Sequence, residues 1–540
     1  MTSRYWLVAA SLPCLLAAGC LAQAAKPADA CGGLAELTIA GARVVAAHVV
    51  AAGEFVPPTP PAPGPGAPPM YKRLPAFCRV EAVAKPSSDS DIKIEVWMPV
   101  SGWNGKLLGQ GNGGFAGDIT YGEMALSVAN GFVGAATDTG HQGTGVEAGW
   151  ALGHPEKVLD FGHRAIHEMT RVAKAAVFSY YGKDPQRAYF VGCSNGGRAA
   201  LMEAQRYPED YDGILAGAPA NNWTHLLTSS IWDAQATTLD TASYIPSSKL
   251  GALAAAVNQA CDAQDGVADG ILSDPRACRF DPGVLKCEAA ESDNCLTGTQ
   301  VTALKKLYDG AHDSRGRRVF PGFLPGAELG GNGWATWITG RGPGRSLLFA
   351  FGTGFFSNFV YGKADWDYRS VSLDEAVKAA DDTAAAALNA TDPNLSAYQR
   401  HGGKLVLYHG WNDPAISALS TVDYFNAVVH QMGQRNRDSF LRLYMVPGMQ
   451  HCAGGPGTDS FGQFNPGAPS DAQHNLFLEL EQWVEHGTAP ERLVGTKFAN
   501  GDPASSPQMT RPLCPYPQHA RYKGAGDTND AANFVCVAAQ

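Results

Sequence analysis

Residues 187–202 read RAYFVGCSNGGRAALM, and this stretch decides the fold of the chain. Its apolar first part, 187–191, predicts a strand, and 197–202 predicts the start of a helix. The turn between them, 192–196, fits the pattern G-x-S-x-G around Ser194. In such a turn the glycines permit a strained backbone that exposes the serine hydroxyl above a sheet. The pattern predicts a nucleophile elbow; the alternative is an ordinary glycine-rich turn whose serine caps the helix.

Further strands and helices alternate before the elbow. Alternating apolar residues predict a strand over 91–98, and shorter apolar runs predict strands at 106–108 and 131–136. Residues 158–181 have helical spacing of apolar side chains. This alternation indicates layers of helices around a mostly parallel sheet. Together with the elbow, it predicts an α/β-hydrolase fold.

An elbow of this kind predicts an acid and then a histidine later in the chain, each in a loop after a strand. The apolar run 404–410 predicts one such strand, and Asp413 follows it. The run 440–446 predicts the next, and His451 lies in its loop. The acid would orient the imidazole, which would take the proton of the serine hydroxyl. Asp423 is a competing acid but falls in a helix-like stretch.

Two cysteines flank the candidate nucleophile and base. Cys193 directly precedes Ser194, and Cys452 directly follows His451. A disulfide holds its two Cα atoms roughly 4.4 to 6.8 Å apart, so a bond between these cysteines would bring serine and histidine within reach of each other. Sequence order alone leaves the pairing open. The adjacency favours His451 over the competing base His409, which precedes the turn.

The negative charge that develops on an attacked carbonyl oxygen needs fixed N–H donors. One is expected from the backbone of Asn195, directly after the nucleophile. The other is expected from the glycine loop after the strand at 106–108, where Gly113 and Gly114 are the candidates. Residues 109–114 also fit the dinucleotide pattern G-x-G-x-x-G, but no helical pattern follows, which disfavours nucleotide binding.

The beginning of the chain predicts export. Residues 1–24 combine a short basic start, an apolar run and a small-residue cleavage site, Ala22-Gln23-Ala24, as in a signal peptide. A lipoprotein cut before Cys20 is the alternative. Ten cysteines remain in the mature chain, and an even number in an exported protein favours disulfides. No two of them form C-x-x-C, which disfavours a zinc site. We expect a secreted or periplasmic protein.

Composition excludes some partners. The chain has 540 residues, 45% of them hydrophobic, enough for a large core in two domains. Its formal charge of -10 leaves no basic footprint for nucleic acid. No apolar run beyond the leader is long enough to span a membrane.

More chain lies between Ser194 and Asp413 than a minimal hydrolase needs. We expect a catalytic domain formed by 25–220 and 393–540 and an inserted lid domain at 221–392. Inside the lid, the short loop 261–271 contains three aspartates and two glycines, a pattern that suits calcium, although no glutamate closes it as in an EF-hand. A solvated acidic turn is the alternative.

The combined residues resemble the tannase and feruloyl esterase family, which also includes a bacterial hydrolase of mono(2-hydroxyethyl) terephthalate. The matching signature is Cys193-Ser194, Asp413 and His451-Cys452. The resemblance implies a structural calcium ion in the lid, held by Asp262, Asp265 and Asp269 and by the carbonyls of Val267 and Ile271. It also implies five disulfides: Cys31–Cys78, Cys193–Cys452, Cys261–Cys278, Cys287–Cys295 and Cys514–Cys536.

The resemblance further implies a serine carboxylic ester hydrolase that acts on aromatic acid esters through an acyl-enzyme. Aromatic side chains in 333–337 and 349–361 are able to flank a ring, or else form lid core. We expect a hydroxycinnamate ester of the feruloyl type, such as one attached to plant polysaccharide, with gallate esters second. A terephthalate monoester is also considered; Arg341 and Arg345 are the arginines near the lid aromatics, but neither aligns with a carboxylate-binding position. A non-catalytic binding protein and a peptidase are the other classes considered.

Overall fold

The elbow stretch forms a strand and a helix in the computed structural model, which describes Met1, residues 27–58 and residues 70–538. Cys20 and the rest of the predicted signal peptide after Met1 lie outside the described residues. The strands are β1 Thr38–Ile39, β2 Ala42–Val50, β3 Phe77–Ala84, β4 Ile92–Pro99, β5 Lys106–Gln110, β6 Val133–Thr137, β7 Arg187–Cys193, β8 Gly213–Gly217, β9 Gly310–His312, β10 Arg318–Pro321, β11 Lys404–Gly410, β12 Leu441–Val446, β13 Leu493–Phe498, β14 Pro507–Leu513, β15 His519–Tyr522 and β16 Phe534–Val537.

The α-helices surround the sheet and fill the insertion. They are α1 Pro27–Gly32, α2 Tyr121–Ala129, α3 Pro155–Leu159, α4 Ala165–Tyr181, α5 Asn195–Arg206, α6 Trp223–Thr238, α7 Leu250–Cys261, α8 Gly298–Asp309, α9 Trp334–Trp337, α10 Leu347–Phe355, α11 Leu373–Ala380, α12 Ala386–Leu388, α13 Ser396–His401, α14 Ala418–Met432, α15 Gln434–Phe440 and α16 Leu476–His486. Among the described residues, none of them has the length and apolarity that a bilayer span requires.

One large sheet carries the candidate site. In the described part of the chain it has ten strands in the order β1-β2-β3-β4-β6-β5-β7-β8-β11-β12. The strands from β6 to β12 in that order are parallel, and β1 to β4 form an antiparallel extension that pairs with β6. The predicted strands at 91–98, 106–108, 131–136, 404–410 and 440–446 are thus present with small differences at their ends, and the α/β-hydrolase fold is confirmed.

Strand β7 lies in the middle of this sheet and is covered on both faces. Ala188 and Phe190 belong to the apolar core formed with α4 and α5, whereas Tyr189 and Val191 belong to the core formed with α16. This alternation follows from the two-residue period of a strand. Helices cover both faces of the sheet. The elbow at the end of β7 is therefore accessible only from the end of the sheet where the carboxyl termini of the parallel strands lie.

The long insertion between β8 and β11 has an apolar core of its own. Side chains from α7, α8 and α9, including Leu253, Leu304 and Trp334, form this core. A second core joins α6 and α10 to Phe115 and Phe161 of the sheet domain. A separate core supports our division into a catalytic domain and a lid at 221–392, which stays a prediction.

Gly192 is required by close backbone packing at the elbow. A Cβ at this position would lie 2.5 Å from the carbonyl carbon and oxygen of Gly196, atoms that belong to the backbone of α5. We therefore expect Gly192→Ala to lower the free energy of unfolding by about 2 kcal/mol. Denaturant unfolding measures this change. Gly251→Ala in α7 is the matched control, because a Cβ there meets nothing within 4 Å; equal stability of the two variants would contradict the prediction.

Candidate active site

Ser194 occupies the strained turn that the elbow pattern predicts. Its backbone has φ 64° and ψ -122°, a conformation that side-chain-bearing residues rarely adopt. The Ser194 N–H donates to the carbonyl of Gly217 at 3.0 Å, and the Ser194 carbonyl accepts from Ala220 at 3.1 Å. These bonds to the end of β8 and the loop after it hold the strained backbone in place.

Asp413 and His451 lie together in the loops after β11 and β12. Asp413 is buried, and its Oδ2 accepts a hydrogen bond from His451 Nδ1 at 2.8 Å. Its Oδ1 accepts the backbone N–H groups of Ala415 and Ile416. Burial alone would raise the pKa of Asp413, but the charge of His451 and the hydrogen bonds from His451 and His409 hold it well below its usual range. The carboxylate therefore stays ionised beside the imidazole.

His409, the competing base of the sequence analysis, lies behind Asp413 in the structure. Its side chain is fully buried, and its Nε2 lies 3.1 Å from both Asp413 Oδ2 and the carbonyl oxygen of Ile416. Both atoms are acceptors, so Nε2 carries the proton and the Thr421 hydroxyl donates to Nδ1 at 2.7 Å. His409 thus supports Asp413 from behind. The competing acid Asp423 is exposed and paired with Arg318 at 2.7 Å.

A cavity of about 370 Å³ joins the candidate nucleophile and base. Ser194 and His451 both line it, together with their neighbours Cys193 and Cys452. These cysteines form a disulfide with their Cα atoms 6.0 Å apart. Of the residues considered as base, His409 is not among the cavity-lining residues, so only His451 faces the space where a substrate would bind.

The glycine loop after β5 packs against the elbow. A Cβ on Gly111 would lie 2.7 Å from Gly196 Cα, and Asn195 Nδ2 donates to the Asn112 carbonyl at 3.2 Å. The backbone N–H groups of the predicted oxyanion donors, Gly113, Gly114 and Asn195, make no hydrogen bond with any described residue. Gly113 and Gly114 line the cavity. Asn195 is buried and is not among the residues that line the cavity. That these three N–H groups form an oxyanion hole stays a prediction.

Arg198 steadies this arrangement from inside the protein. It is fully buried and donates through Nε to Asn195 Oδ1 at 2.8 Å. Its other nitrogens donate to the carbonyls of Phe161 and Gly162. Burial lowers its pKa to about 9, still above neutral pH, so the guanidinium is charged. Sequence reasoning missed Arg198, which belongs to no local motif of catalysis, and it considered His409 only as a competing base.

The lid contributes one wall of the cavity and contacts the candidate base. Trp337 and Phe351 are the residues of the predicted aromatic segments that line the cavity. Trp337 packs edge-on against His451, with ring centroids 4.8 Å apart. Other aromatic side chains of these segments are buried in cores. Trp334 belongs to the core of the lid, and Phe355, Phe356 and Phe359 belong to the core that joins the lid to the sheet domain. Arg341 and Arg345 are exposed and do not line the cavity, so neither is placed to bind a substrate carboxylate there.

The acidic loop of the lid binds its own backbone. The carboxylates of Asp262, Asp265 and Asp269 accept N–H groups of Gly270, Val267 and Ile271, respectively. Asp269 also forms an ion pair with Arg511 at 2.5 Å. Within the described residues, no three His, Cys, Asp or Glu side chains converge as a metal site. Carboxylate oxygens are the ligands that calcium prefers. In this structure they accept hydrogen bonds from the loop backbone, and Asp269 is paired with Arg511.

All ten cysteines of the predicted mature chain form disulfides. The pairs are Cys31–Cys78, Cys193–Cys452, Cys261–Cys278, Cys287–Cys295 and Cys514–Cys536. They match the five pairs that the family resemblance implies. The pair Cys261–Cys278 lies beside the acidic loop and closes it.

The fold and the cavity together define the class of protein, an α/β hydrolase. A serine lies in the elbow after β7, and the same cavity is lined by a histidine that is hydrogen-bonded to a buried carboxylate. Comparison with known proteins agrees. The family model of tannase and feruloyl esterase matches residues 78–537. The chain belongs to this family.

Relatives and solved structures extend over nearly the whole chain. An uncharacterized esterase of Xanthomonas campestris is 40% identical over 97% of this chain and 94% of its own length. A probable feruloyl esterase B of Aspergillus clavatus is 34% identical over 85% of this chain and 86% of its own. The crystal structure of feruloyl esterase B from Aspergillus oryzae has a TM-score of 0.85 and 30% identity, and the match covers 95% of this chain and 100% of that one. The chain is a carboxylic ester hydrolase.

The disulfide between Cys193 and Cys452 offers a direct test of the site. Replacing both cysteines by alanine removes the tether but keeps the hydrogen bond from His451 to Asp413. We expect the double variant to fold and to lose much of its kcat, about tenfold or more, because small displacements of a base are costly. Ester hydrolysis by the purified variant measures this loss. The control is the double alanine variant of Cys287 and Cys295, which lie in the lid away from the cavity; full activity of the Cys193 and Cys452 variant would show that packing alone positions His451.

Proposed function

We propose that this protein is a serine esterase that cleaves neutral esters of aromatic acids, feruloyl-type esters first, through an acyl-enzyme. The observation that carries the proposal is the cavity itself, in which Ser194 and His451 face the lid aromatics Trp337 and Phe351. Apolar side chains of α6 and the lid make up much of the remaining lining: Trp223, Leu226, Leu227 and Leu348. Such a lining favours a ring over a flexible polar chain.

In each half-reaction of the proposed chemistry, His451 acts first as a base and then as an acid. His451 donates its Nδ1–H to Asp413, which leaves Nε2 to take the proton of Ser194 as Oγ attacks the ester carbonyl. The tetrahedral oxyanion accepts N–H groups from the elbow and the glycine loop. Collapse expels the alcohol, which receives the proton from His451, and leaves the acyl group on Ser194. A water molecule, deprotonated by His451, then attacks the acyl carbonyl. Collapse breaks the bond to Ser194 Oγ, which takes the proton back from His451, and the acid is released.

The charges of the cavity favour a neutral ester over a terephthalate monoester. Among the described residues that line it, there is neither a lysine nor an arginine. A free carboxylate would therefore lose its hydration without gaining a cation, which is costly. This supports a feruloyl or related aromatic ester as the substrate class.

Calcium binding in the lid and export remain proposals beside the catalytic one. The spacing of Asp262, Asp265 and Asp269 and the hard oxygen donors of their loop support a structural calcium ion. Arg511 now occupies one side of Asp269 and would share that carboxylate with the ion. Five disulfides support an oxidising compartment and thus a secreted or periplasmic location.

A panel of esters tests the proposed reaction. Wild type should hydrolyse methyl ferulate more efficiently than methyl gallate, and both more efficiently than mono(2-hydroxyethyl) terephthalate. Ser194→Ala should lose at least about a thousandfold in kcat, since it removes the nucleophile. Ser370→Ala, on the exposed surface, is the matched control. Hydrolysis that survives in Ser194→Ala would overturn the mechanism; binding without hydrolysis in wild type would indicate a binding protein, and cleavage of amides only would indicate a peptidase.

Calcium is tested through stability. If the loop binds the ion in the folded state only, calcium at about 100 times its Kd adds about 2.7 kcal/mol to the free energy of unfolding. We expect a chelator to lower the unfolding temperature, added calcium to restore it, and magnesium to restore it much less. Asp265→Asn should abolish the response, with the exposed Asp293→Asn as control. An unfolding temperature independent of calcium, with no ion retained by mass spectrometry, would contradict the proposal.

A further inference from the structure

One wall of the cavity carries polar side chains, whereas the lid side is apolar. The polar wall consists of Gln110 at the end of β5 and of Thr120 and Glu123 at the start of α2, and we name these three residues the α2 wall. A purely apolar substrate would gain nothing from the α2 wall, so its polar groups need another explanation.

The hydroxyl of Thr120 has no partner. Its Oγ1 is buried and makes no hydrogen bond with any described residue. Thr120 precedes α2 at the position of an N-cap, yet its side chain does not cap the helix. Buried polar atoms are nearly always hydrogen-bonded. Thr120 is one of the residues that line the cavity, so a rotation of its side chain would bring this unpaired hydroxyl to a group bound there.

Gln110 and Glu123 supply acceptors beside this hydroxyl. Gln110 Nε2 donates to Ser127 Oγ at 3.0 Å, which leaves its carbonyl oxygen free to accept. Glu123 is partly buried; burial first, and then the nearby Asp118, raises its pKa. No cation among the described lining residues balances this acid. The wall therefore offers oxygen acceptors and an uncompensated carboxyl group to whatever enters the cavity.

A substrate hydroxyl is the group that matches these properties. It donates to a carboxylate or an amide oxygen and accepts from the threonine hydroxyl, so it satisfies both kinds of atom at once. A substrate carboxylate would face Glu123 without a cation, which adds repulsion to desolvation. The α2 wall thus separates hydroxyl-bearing esters from carboxylate-bearing ones.

We propose that the α2 wall binds a hydroxyl group of the ester substrate and rejects substrates with a free carboxylate. The proposal rests on the proposed esterase function and names a determinant of its specificity. The hydroxyl has two possible sources, the ring of the aromatic acid or the alcohol, such as a sugar. Both present the same chemistry to Glu123, and the experiment distinguishes them.

The test compares kcat/KM ratios in wild type, Glu123→Gln and Thr120→Val. The ring arm is the ratio of methyl caffeate to methyl cinnamate, which differ in ring hydroxyls. The alcohol arm is the ratio of a feruloyl arabinose ester to methyl ferulate. We expect one of these ratios to fall about tenfold in Glu123→Gln and to fall in Thr120→Val, because a site built for a hydroxyl discriminates strongly against its absence. The kcat/KM ratio that falls identifies the part of the substrate, ring or alcohol, whose hydroxyl binds the α2 wall.

A third arm tests charge. The ratio of mono- to bis(2-hydroxyethyl) terephthalate should rise in Glu123→Gln, since the two esters differ by one carboxylate. Glu288→Gln, an exposed glutamate of the lid, is the charge-matched control and should change none of the ratios. If the ratios are unchanged in both α2-wall variants, the proposal is wrong. Hydrolysis by wild type in the same experiment would still support the proposed esterase function. Absence of hydrolysis by wild type on every ester would instead overturn the proposed function.

Discussion

The carboxylate of Asp413 is the group on which the candidate site depends. It is excluded from water, so each of its oxygens must find donors within the protein. Two backbone N–H groups fix its direction, and two imidazoles donate to the other oxygen. The loop after β11 is thereby joined to the loop after β12, and His451, which lines the cavity, is held through its Nδ1. Removal of this carboxylate would leave these four donors without their partner.

The lid is part of the same arrangement rather than a detached cover. Asn332 Nδ2 donates to the backbone carbonyl of His451 at 2.8 Å, and Asn332 Oδ1 accepts from Trp337 Nε1 at 2.8 Å. The aromatic wall of the cavity and the loop of the base therefore share a hydrogen-bonded residue. A displacement of α9 would therefore reach the loop that carries His451 through Asn332.

The parts of the site that were predictable from sequence are those specified by local pattern. The elbow at 192–196 and the strand at 404–410 depend on neighbouring residues, so glycine spacing and apolar runs suffice. His409 was seen only as a competitor, because its contacts with Thr421 and Ile416 arise when α14 and the loop before it fold over β11. The α2 wall has no motif at all; its residues come together through the packing of α2 beside β5. The two lid arginines, near the aromatics in sequence, lie on the surface because the loop between α9 and α10 turns outward.

The disulfide between Cys193 and Cys452 spans 259 residues, and the whole insertion lies within the ring that it closes. The chain from α5 to β12 is thus a covalently closed ring, and the candidate nucleophile and base are the residues next to the disulfide that closes it. A proteolytic cut anywhere in the lid opens this ring but does not divide the molecule. The serine and the histidine would then belong to different peptides that stay joined by this disulfide.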